Sequence, residues 1–199
     1  MSLLQTKFPG ASGSLVTVLL LVRHAHADWT PDEDRPLSAQ GCADAECVAD
    51  LLQPVPISAV YSSPFRRARD TVAPLAKRLG QPIHAINDLR ERELGIAPAG
   101  SFMAAVKATW EDPTLAFLGG EPNAAAQRRG VAVIRGLLDR HPGQQIAVGT
   151  HGNLLALILQ RFDPSVGFAF WQLLTMPDVH RLEVTDFGAT HHRLWRPPS

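Results

Sequence analysis

The chain has 199 residues, and its 19 lysine and arginine residues balance 19 acidic ones. This length is enough for one domain with a sizeable core, and the balanced charge creates no overall field that would draw the protein to nucleic acid or to an anionic membrane. No apolar run approaches the roughly 18 residues that a membrane-spanning helix needs, so we expect neither nucleic acid nor a membrane among its partners.

The N-terminal region predicts a tail followed by a buried strand. Residues 1–14 mix Gly, Ser and Pro and lack the apolar stretch of a signal peptide, which predicts a flexible tail. The run 16–22 consists of Val, Leu and one Thr, and such runs are typical of a parallel strand buried on both faces. It ends in Arg23 and His24, which places a guanidinium and an imidazole at the carboxyl end of a strand, where open α/β folds bind ligands.

A helix comes next in the chain. Ser38 is a suitable N-cap for a helix that runs to Leu52 and ends before Pro54. Cys42 and Cys47 lie five apart in this helix, a spacing that suits neither a disulfide nor a zinc site. Reduced thiols are expected of a cytoplasmic protein, and we predict that location.

A second strand, over 57–61, leads into the turn Ser62-Ser63-Pro64 and another helix. We expect Ser63 to cap this helix and Pro64 to occupy its first helical position. The helix carries several arginines near its start and stops at Gly80.

Strands and helices continue to alternate, with one interruption. At about 95–120 a single predicted helix lies between glycines and prolines, and we expect this segment to form a cap inserted over the site. The other predicted elements are a strand over 82–86, a helix over 123–140, a strand over 145–150, a helix over 152–162 and two antiparallel strands over 179–184 and 190–195. This order predicts an α/β fold, a three-layer α/β/α sandwich with a mostly parallel central sheet, in one domain spanning 15–199.

The residues at these strand ends are suited to phosphoryl transfer. His24 is a plausible nucleophile because a neutral imidazole attacks near pH 7 without prior activation. Arg23 alone cannot clamp a dianion, and Arg67 supplies a second guanidinium at the start of a helix. His151 follows the strand 145–150, and Gly152 opens a helix whose amides would face the same anion.

Five motifs occur in order along the chain. They are Leu-Val-Arg-His ending at residue 24, Tyr-Ser-Ser-Pro-Phe-Arg-Arg-Ala-Arg-Asp-Thr from residue 61, Leu-Arg-Glu-Arg-Glu-Leu-Gly from residue 89, Gly-Gly-Glu at 119–121 and Thr-His-Gly-Asn at 150–153. Together they resemble the histidine phosphatase superfamily, in its phosphoglycerate-mutase-like branch. The resemblance covers residue 16 to about residue 183, and it rests on the order and spacing of the motifs.

This resemblance implies a role for each matched residue. It implies that His24 becomes phosphorylated and that Arg23 and Arg67 grip the phosphoryl group, with His151 as the second pocket histidine. Glu91 matches the family's proton donor. That role fits the chemistry, since a carboxyl group beside a bound dianion is favoured in its protonated form.

Other matched positions are weaker candidates. Glu121 matches a position that is structural or positions the substrate. Ser62 is a candidate for contact with the substrate or its phosphate. Thr30 stands where mutases carry an Asn that binds phosphate, so we expect a hydroxyl contact there or none. Arg128 and Arg129 could reach a distal anion, although a solvated helix face fits them better.

The segments by which mutases hold a bisphosphate are absent, which favours hydrolysis. We therefore predict a metal-independent phosphomonoesterase with a phosphohistidine intermediate, without a cofactor, acting on a small phosphorylated metabolite. A mutase-type phosphotransferase, a protein phosphohistidine phosphatase and a phosphate-binding module remain alternatives. A metal-dependent hydrolase that uses His24, His26 and Asp28 is a further alternative, because these residues have the spacing of a metal-binding motif. The oligomeric state is not indicated.

Overall fold

A computed structural model describes residues 15–30, 34–97 and 101–196. The predicted tail, 1–14, lies outside the described residues, and so do residues 98–100 of the predicted cap. The strands are β1 (Thr17–Arg23), β2 (Ile57–Ser62), β3 (Ile83–Ala85), β4 (Gln145–Thr150), β5 (Asp178–Thr185) and β6 (Gly188–Arg193). The helices are α1 (Ala39–Leu52), α2 (Arg66–Leu79), α3 (Phe102–Glu111), α4 (Asn123–Arg140), α5 (Gly152–Phe162) and α6 (Phe168–Leu173), with a 3₁₀ turn at Asn87–Leu89.

The six strands form one sheet in the order β3-β2-β4-β1-β5-β6. The first four are parallel, whereas β5 is antiparallel to both β1 and β6. The predicted α/β fold with a mostly parallel central sheet is therefore confirmed, including the antiparallel pair at one edge.

Alternate residues of the central strands enter two separate apolar layers. In β1, Leu19 and Leu21 pack in one cluster with Ile134 of α4 and Leu155 of α5. Val18, Leu20 and Val22 pack in the other, among residues of α1 and α2. Because both faces are covered, the strand is apolar at every position rather than at every second one, which is why it could be recognised in the sequence.

Two local predictions were wrong. The N-cap of α2 is Phe65, not Ser63, and Pro64 precedes the helix. The Ser63 hydroxyl instead accepts a hydrogen bond from the Phe65 amide, and this leaves its side chain near the strand end. The apolar segment 168–173, for which we predicted no element, forms α6.

The two ends of the segment 95–120 lie against each other. Ile96 and Leu118 form an isolated antiparallel bridge, and the backbones of Gly95 and Gly120 approach so closely that a Cβ on Gly95 would lie 2.5 Å from the Gly120 nitrogen. Helix α3 is tied to the main body by Trp110, whose indole N–H donates to the Asn153 side chain.

None of the helices in the described parts of the chain combines the length and the apolar composition that crossing a membrane requires.

Candidate active site

The topology brings three chain segments to one edge of the sheet. Strand β4 lies between β2 and β1, and Arg23 pairs with Thr150 in the β1–β4 register. The residues that follow these strands, His24 and His151, therefore lie side by side, with ring centroids 5.2 Å apart. Arg67, at the start of the helix after β2, completes the cluster.

The hydrogen bonds of His24 fix which ring nitrogen can react. Its Nδ1 lies 2.8 Å from the carbonyl oxygen of Ala25. A carbonyl only accepts, so Nδ1 carries the proton and Nε2 keeps the lone pair. The Nε of Arg67 donates to this Nε2 at 3.3 Å, which places the lone pair on the side of the arginine.

Burial keeps the His24 ring neutral. The side chain is almost fully enclosed, and burial lowers the pKa of His24 from 6.5 to about 3, with Arg67, Arg23 and Arg35 acting in the same direction. The hydrogen bond to Ala25 opposes this shift but does not cancel it. A neutral imidazole with a fixed tautomer is the form that attacks phosphorus.

Arg67 is held in place by its own helix and by an aromatic ring. Its guanidinium carbon lies 4.8 Å from the centre of the Phe65 ring, a cation–π contact. The buried Thr71 hydroxyl donates to the Arg67 carbonyl and accepts from the Ala25 amide. One hydroxyl thus links the segment that carries His24 to the helix that carries Arg67.

Arg23 reaches the site from the last position of β1. Its Nη1 donates to the Leu174 carbonyl at 2.9 Å, while its buried Nε has no hydrogen-bond partner among the described residues. Burial lowers the pKa of Arg23, and Glu91 and Asp178 partly offset this shift. A Cβ on Gly152 would lie 2.9 Å from the guanidinium carbon, so a larger residue there would displace the Arg23 guanidinium.

His151 is completely buried and contributes a neutral ring. Its Nε2 lies 2.8 Å from the Ser63 hydroxyl, and its Nδ1 has no partner among the described residues. Burial lowers the pKa of His151 well below its usual range, and His24, Arg67, Arg129 and Arg23 add to the effect. The doubly protonated form of the ring is therefore disfavoured, so the ring offers a hydrogen bond rather than a full charge.

The carboxylate of Glu91 lies at the N-terminus of α5. Its Oε1 accepts from the amides of Arg92 and Leu154, and its Oε2 accepts from the amide of Asn153 at 3.1 Å. Two of the first three amides of α5 therefore donate to Glu91. The phosphate contact predicted at this helix start is accordingly assigned to the amide of Gly152. Oε2, with a single donor, has the greater remaining capacity to form a further hydrogen bond.

A cleft of about 430 Å³ connects Glu91 with Arg67. The other residues that line it are Arg35, Phe65, Asn87, Arg90, Arg92, Glu93 and Leu94. Arg92 is buried, and its Nε and Nη1 have no partner among the described residues. Arg35 and Arg92 were not identified from the sequence, because no local pattern distinguishes them from surface arginines.

Two predicted contact residues, Ser62 and Thr30, differ in their exposure. The Ser62 hydroxyl is buried beside Gly149, and its role in substrate positioning stays a prediction. Thr30 is exposed, and its carbonyl accepts a long hydrogen bond from Arg35; its contact with phosphate stays a prediction.

Glu121 pairs with an arginine rather than facing the cleft. Both of its carboxylate oxygens accept from Arg129, at 2.8 Å and 2.7 Å. This arrangement agrees with the structural role considered for Glu121. Arg129 is not on a solvated helix face, which corrects the expectation from the sequence.

The His-x-His-x-Asp spacing does not produce a converging ligand set. His24 faces Arg67, whereas the exposed His26 hydrogen-bonds the Ser38 hydroxyl through Nδ1 at 2.9 Å. Within the described ranges, no three His, Cys, Asp or Glu side chains are grouped so that they could hold a metal ion. The geometry at this strand end is that of a cationic pocket built from two arginines and two imidazoles.

A sequence model of the histidine phosphatase superfamily, branch 1, matches residues 19–196, and the chain therefore belongs to this superfamily. It is 30% identical over 182 residues to phosphoglycerate mutase-like protein 4 of Arabidopsis thaliana, covering 82% of this chain and 79% of that protein. It is 28% identical over 168 residues to the metal-independent phosphoserine phosphatase of the same plant, covering 74% and 69% of the two chains.

The fold is also that of known members. The structure of YhfR from Bacillus stearothermophilus superimposes with a TM-score of 0.72 at 27% identity, covering 89% of this chain and 95% of that one. The predicted family and the predicted enzyme class, a phosphatase of the histidine phosphatase type, are confirmed at this level.

Proposed function

We propose that the protein is a metal-independent phosphomonoester hydrolase that works through a phosphohistidine on His24. The observation that carries this proposal is the buried contact between His24 Nε2 and Arg67, beside the ring of His151. In this contact, a neutral nucleophile that one backbone carbonyl orients lies beside a guanidinium group, at the point where we expect the phosphate oxygens to bind.

In the first step, the lone pair of His24 Nε2 forms a bond to phosphorus as the bond from phosphorus to the substrate oxygen breaks. Arg23, Arg67 and the neutral His151 hold the three phosphoryl oxygens. Glu91 gives a proton to the leaving alkoxide, so the product departs as a neutral alcohol.

In the second step, water displaces the histidine. Glu91, now a carboxylate, takes a proton from the water molecule as its oxygen bonds to phosphorus. The bond between phosphorus and Nε2 breaks, the electron pair returns to the imidazole, and inorganic phosphate leaves. The water must enter on the side of the departed alcohol, which is the side on which Glu91 lies.

The cleft favours small substrates that carry a second anionic group. Arg35, Arg90 and Arg92 line it in addition to Arg67, and guanidinium groups are suited to binding a carboxylate. Two relatives are named for phosphoglycerate and phosphoserine, both of which combine a phosphate ester with a carboxylate.

The proposal is tested with matched pairs of phosphomonoesters, assayed in the presence of a chelator. Phosphoserine is compared with phosphoethanolamine, and 3-phosphoglycerate with glycerol 3-phosphate; each pair differs by a carboxylate. We expect release of inorganic phosphate that the chelator does not change, with a higher kcat/KM for the acidic member. Loss of activity on metal removal would refute the mechanism, and a strict requirement for a bisphosphate primer would show a mutase.

The role of Arg92 in this preference can be tested separately. We expect Arg92→Gln to lower kcat/KM for phosphoserine about 10- to 100-fold, the value of a lost charge-assisted hydrogen bond. The change for phosphoethanolamine should stay within about threefold on the same scale. Equal losses for both substrates would contradict a carboxylate contact.

A further inference from the structure

Arg129 makes an unusual set of contacts with the loop that carries Glu91. Its Nη1 donates to the carbonyls of Asp88 and Arg90, at 2.7 Å and 2.9 Å, and its Nη2 donates to the carbonyl of Glu91 at 3.3 Å. The same guanidinium forms the bidentate pair with Glu121. Its side chain is only 11% exposed.

Two further carbonyls of this part of the chain are also held from outside it. The Thr150 hydroxyl donates to the carbonyl of Leu89 at 3.0 Å, and the Glu121 amide donates to the carbonyl of Glu93 at 2.8 Å. The loop has no strand or helix of its own between 90 and 95. Its conformation therefore depends on donors supplied by α4 and by the end of β4.

We propose that the Glu121–Arg129 pair is a positioning device for Glu91. This inference rests on the proposed function, because it assigns the pair to the proton transfer that Glu91 performs there. Arg129 fixes the backbone on both sides of Glu91, and Glu121 fixes Arg129. Glu91 then meets the N-terminus of α5 in one orientation, with its Oε2 directed to the leaving oxygen.

The substitution that tests this is Arg129→Gln, with Arg128→Gln as its matched control. Arg128 is the preceding residue of the same helix, is exposed, and loses the same charge. Each variant is assayed with a slow alkyl substrate, phosphoserine, and with 2,4-dinitrophenyl phosphate, whose leaving group needs no proton.

We expect Arg129→Gln to lower kcat/KM for phosphoserine, which reports on the phosphorylation step, about 100-fold, as for a small misplacement of a catalytic group. With 2,4-dinitrophenyl phosphate the loss in kcat/KM should be less than about fivefold, because general acid catalysis is not required in that step. Glu91→Gln should show the same selectivity. The double variant should be no slower than Glu91→Gln alone, since both changes remove one function.

Equal losses with both substrates, or additive losses in the double variant, would show that Arg129 has a general structural role and would overturn the proposal. If Arg129→Gln does not fold, Glu121→Gln gives the same test, with the same selectivity and a smaller loss expected. An absence of selectivity in Glu91→Gln would also overturn the positioning role. A wild-type protein that releases no phosphate from either ester would instead refute the proposed function itself.

Discussion

The two halves of the candidate site are built in different ways. The phosphate half consists of Arg23, His24 and His151, which occupy strand ends fixed by backbone pairing, together with Arg67 at the start of α2. The leaving-group half is a loop whose carbonyls are held by side chains, above all by Arg129. The sheet therefore determines where phosphorus can lie, while side-chain hydrogen bonds determine where the proton is delivered.

This difference predicts two kinds of mutational effect. A change in the phosphate half should slow every substrate, since every substrate places the same phosphoryl group there. A change in the leaving-group half should slow the phosphorylation step, measured as kcat/KM, in proportion to how much the leaving oxygen of the substrate needs a proton.

The largest effect is expected from the nucleophile. We predict that His24→Ala lowers kcat by about 10⁴-fold or more with all phosphomonoesters, because no other group can accept the phosphoryl. Initial rates of phosphate release measure this. The control is His26→Ala, two residues further on and exposed, which should stay within about threefold of the wild type. A larger loss in the control than in His24→Ala would reverse the assignment.

Arg67 should show a smaller loss that does not depend on the leaving group. We predict that Arg67→Met lowers kcat/KM by about 10²- to 10³-fold with phosphoserine and with 2,4-dinitrophenyl phosphate alike. Arg66→Met is the control, since Arg66 is exposed and pairs with Asp70 on the helix surface. A loss confined to phosphoserine would place Arg67 in the leaving-group half and contradict the division of the site into two halves.

A third effect concerns stability rather than rate. The folded protein keeps His24 neutral down to a pKa of about 3, whereas the unfolded chain binds the proton near pH 6.5. Stability is therefore lost as the pH falls from about 6.5 towards 3. We predict that His24→Gln reduces the slope of unfolding free energy against pH by up to about 1.4 kcal/mol per pH unit.

Urea denaturation at several pH values measures this slope. Since His151 is shifted in the same direction, a residual slope should remain in His24→Gln and decrease further in the double variant His24→Gln/His151→Gln. An unchanged slope in both variants would show that these imidazoles are solvated rather than enclosed, and the phosphate half would then not be the buried pocket described.

The sequence predicted the phosphate half better than the leaving-group half, for a physical reason. Strand β1 is a continuous apolar run, so Arg23 and His24 could be placed at its end from local pattern alone. β2 extends one residue further than predicted, so Ser62 is the last residue of the strand rather than the first residue of the turn.

The contacts of the Glu91 loop could not be predicted in the same way. Glu91 was identified only through the resemblance of its motif to the family. Arg129 lies 38 residues from Glu91 along the chain, and helical periodicity does not distinguish a buried arginine that binds carbonyls from a solvated one. Arg92 could not be predicted for the same reason. Its Nη2 donates to Thr109 of α3, which lies in the inserted segment.

The most direct test of the account is to trap the intermediate. The enzyme is mixed with labelled phosphoserine, quenched within milliseconds in alkaline detergent and digested for mass spectrometry. The account predicts a phosphoryl group on Nε2 of His24 that is stable in base, is lost in acid and is absent from His24→Ala. Label on a serine, on His151 or on no residue while phosphate is still released would contradict it.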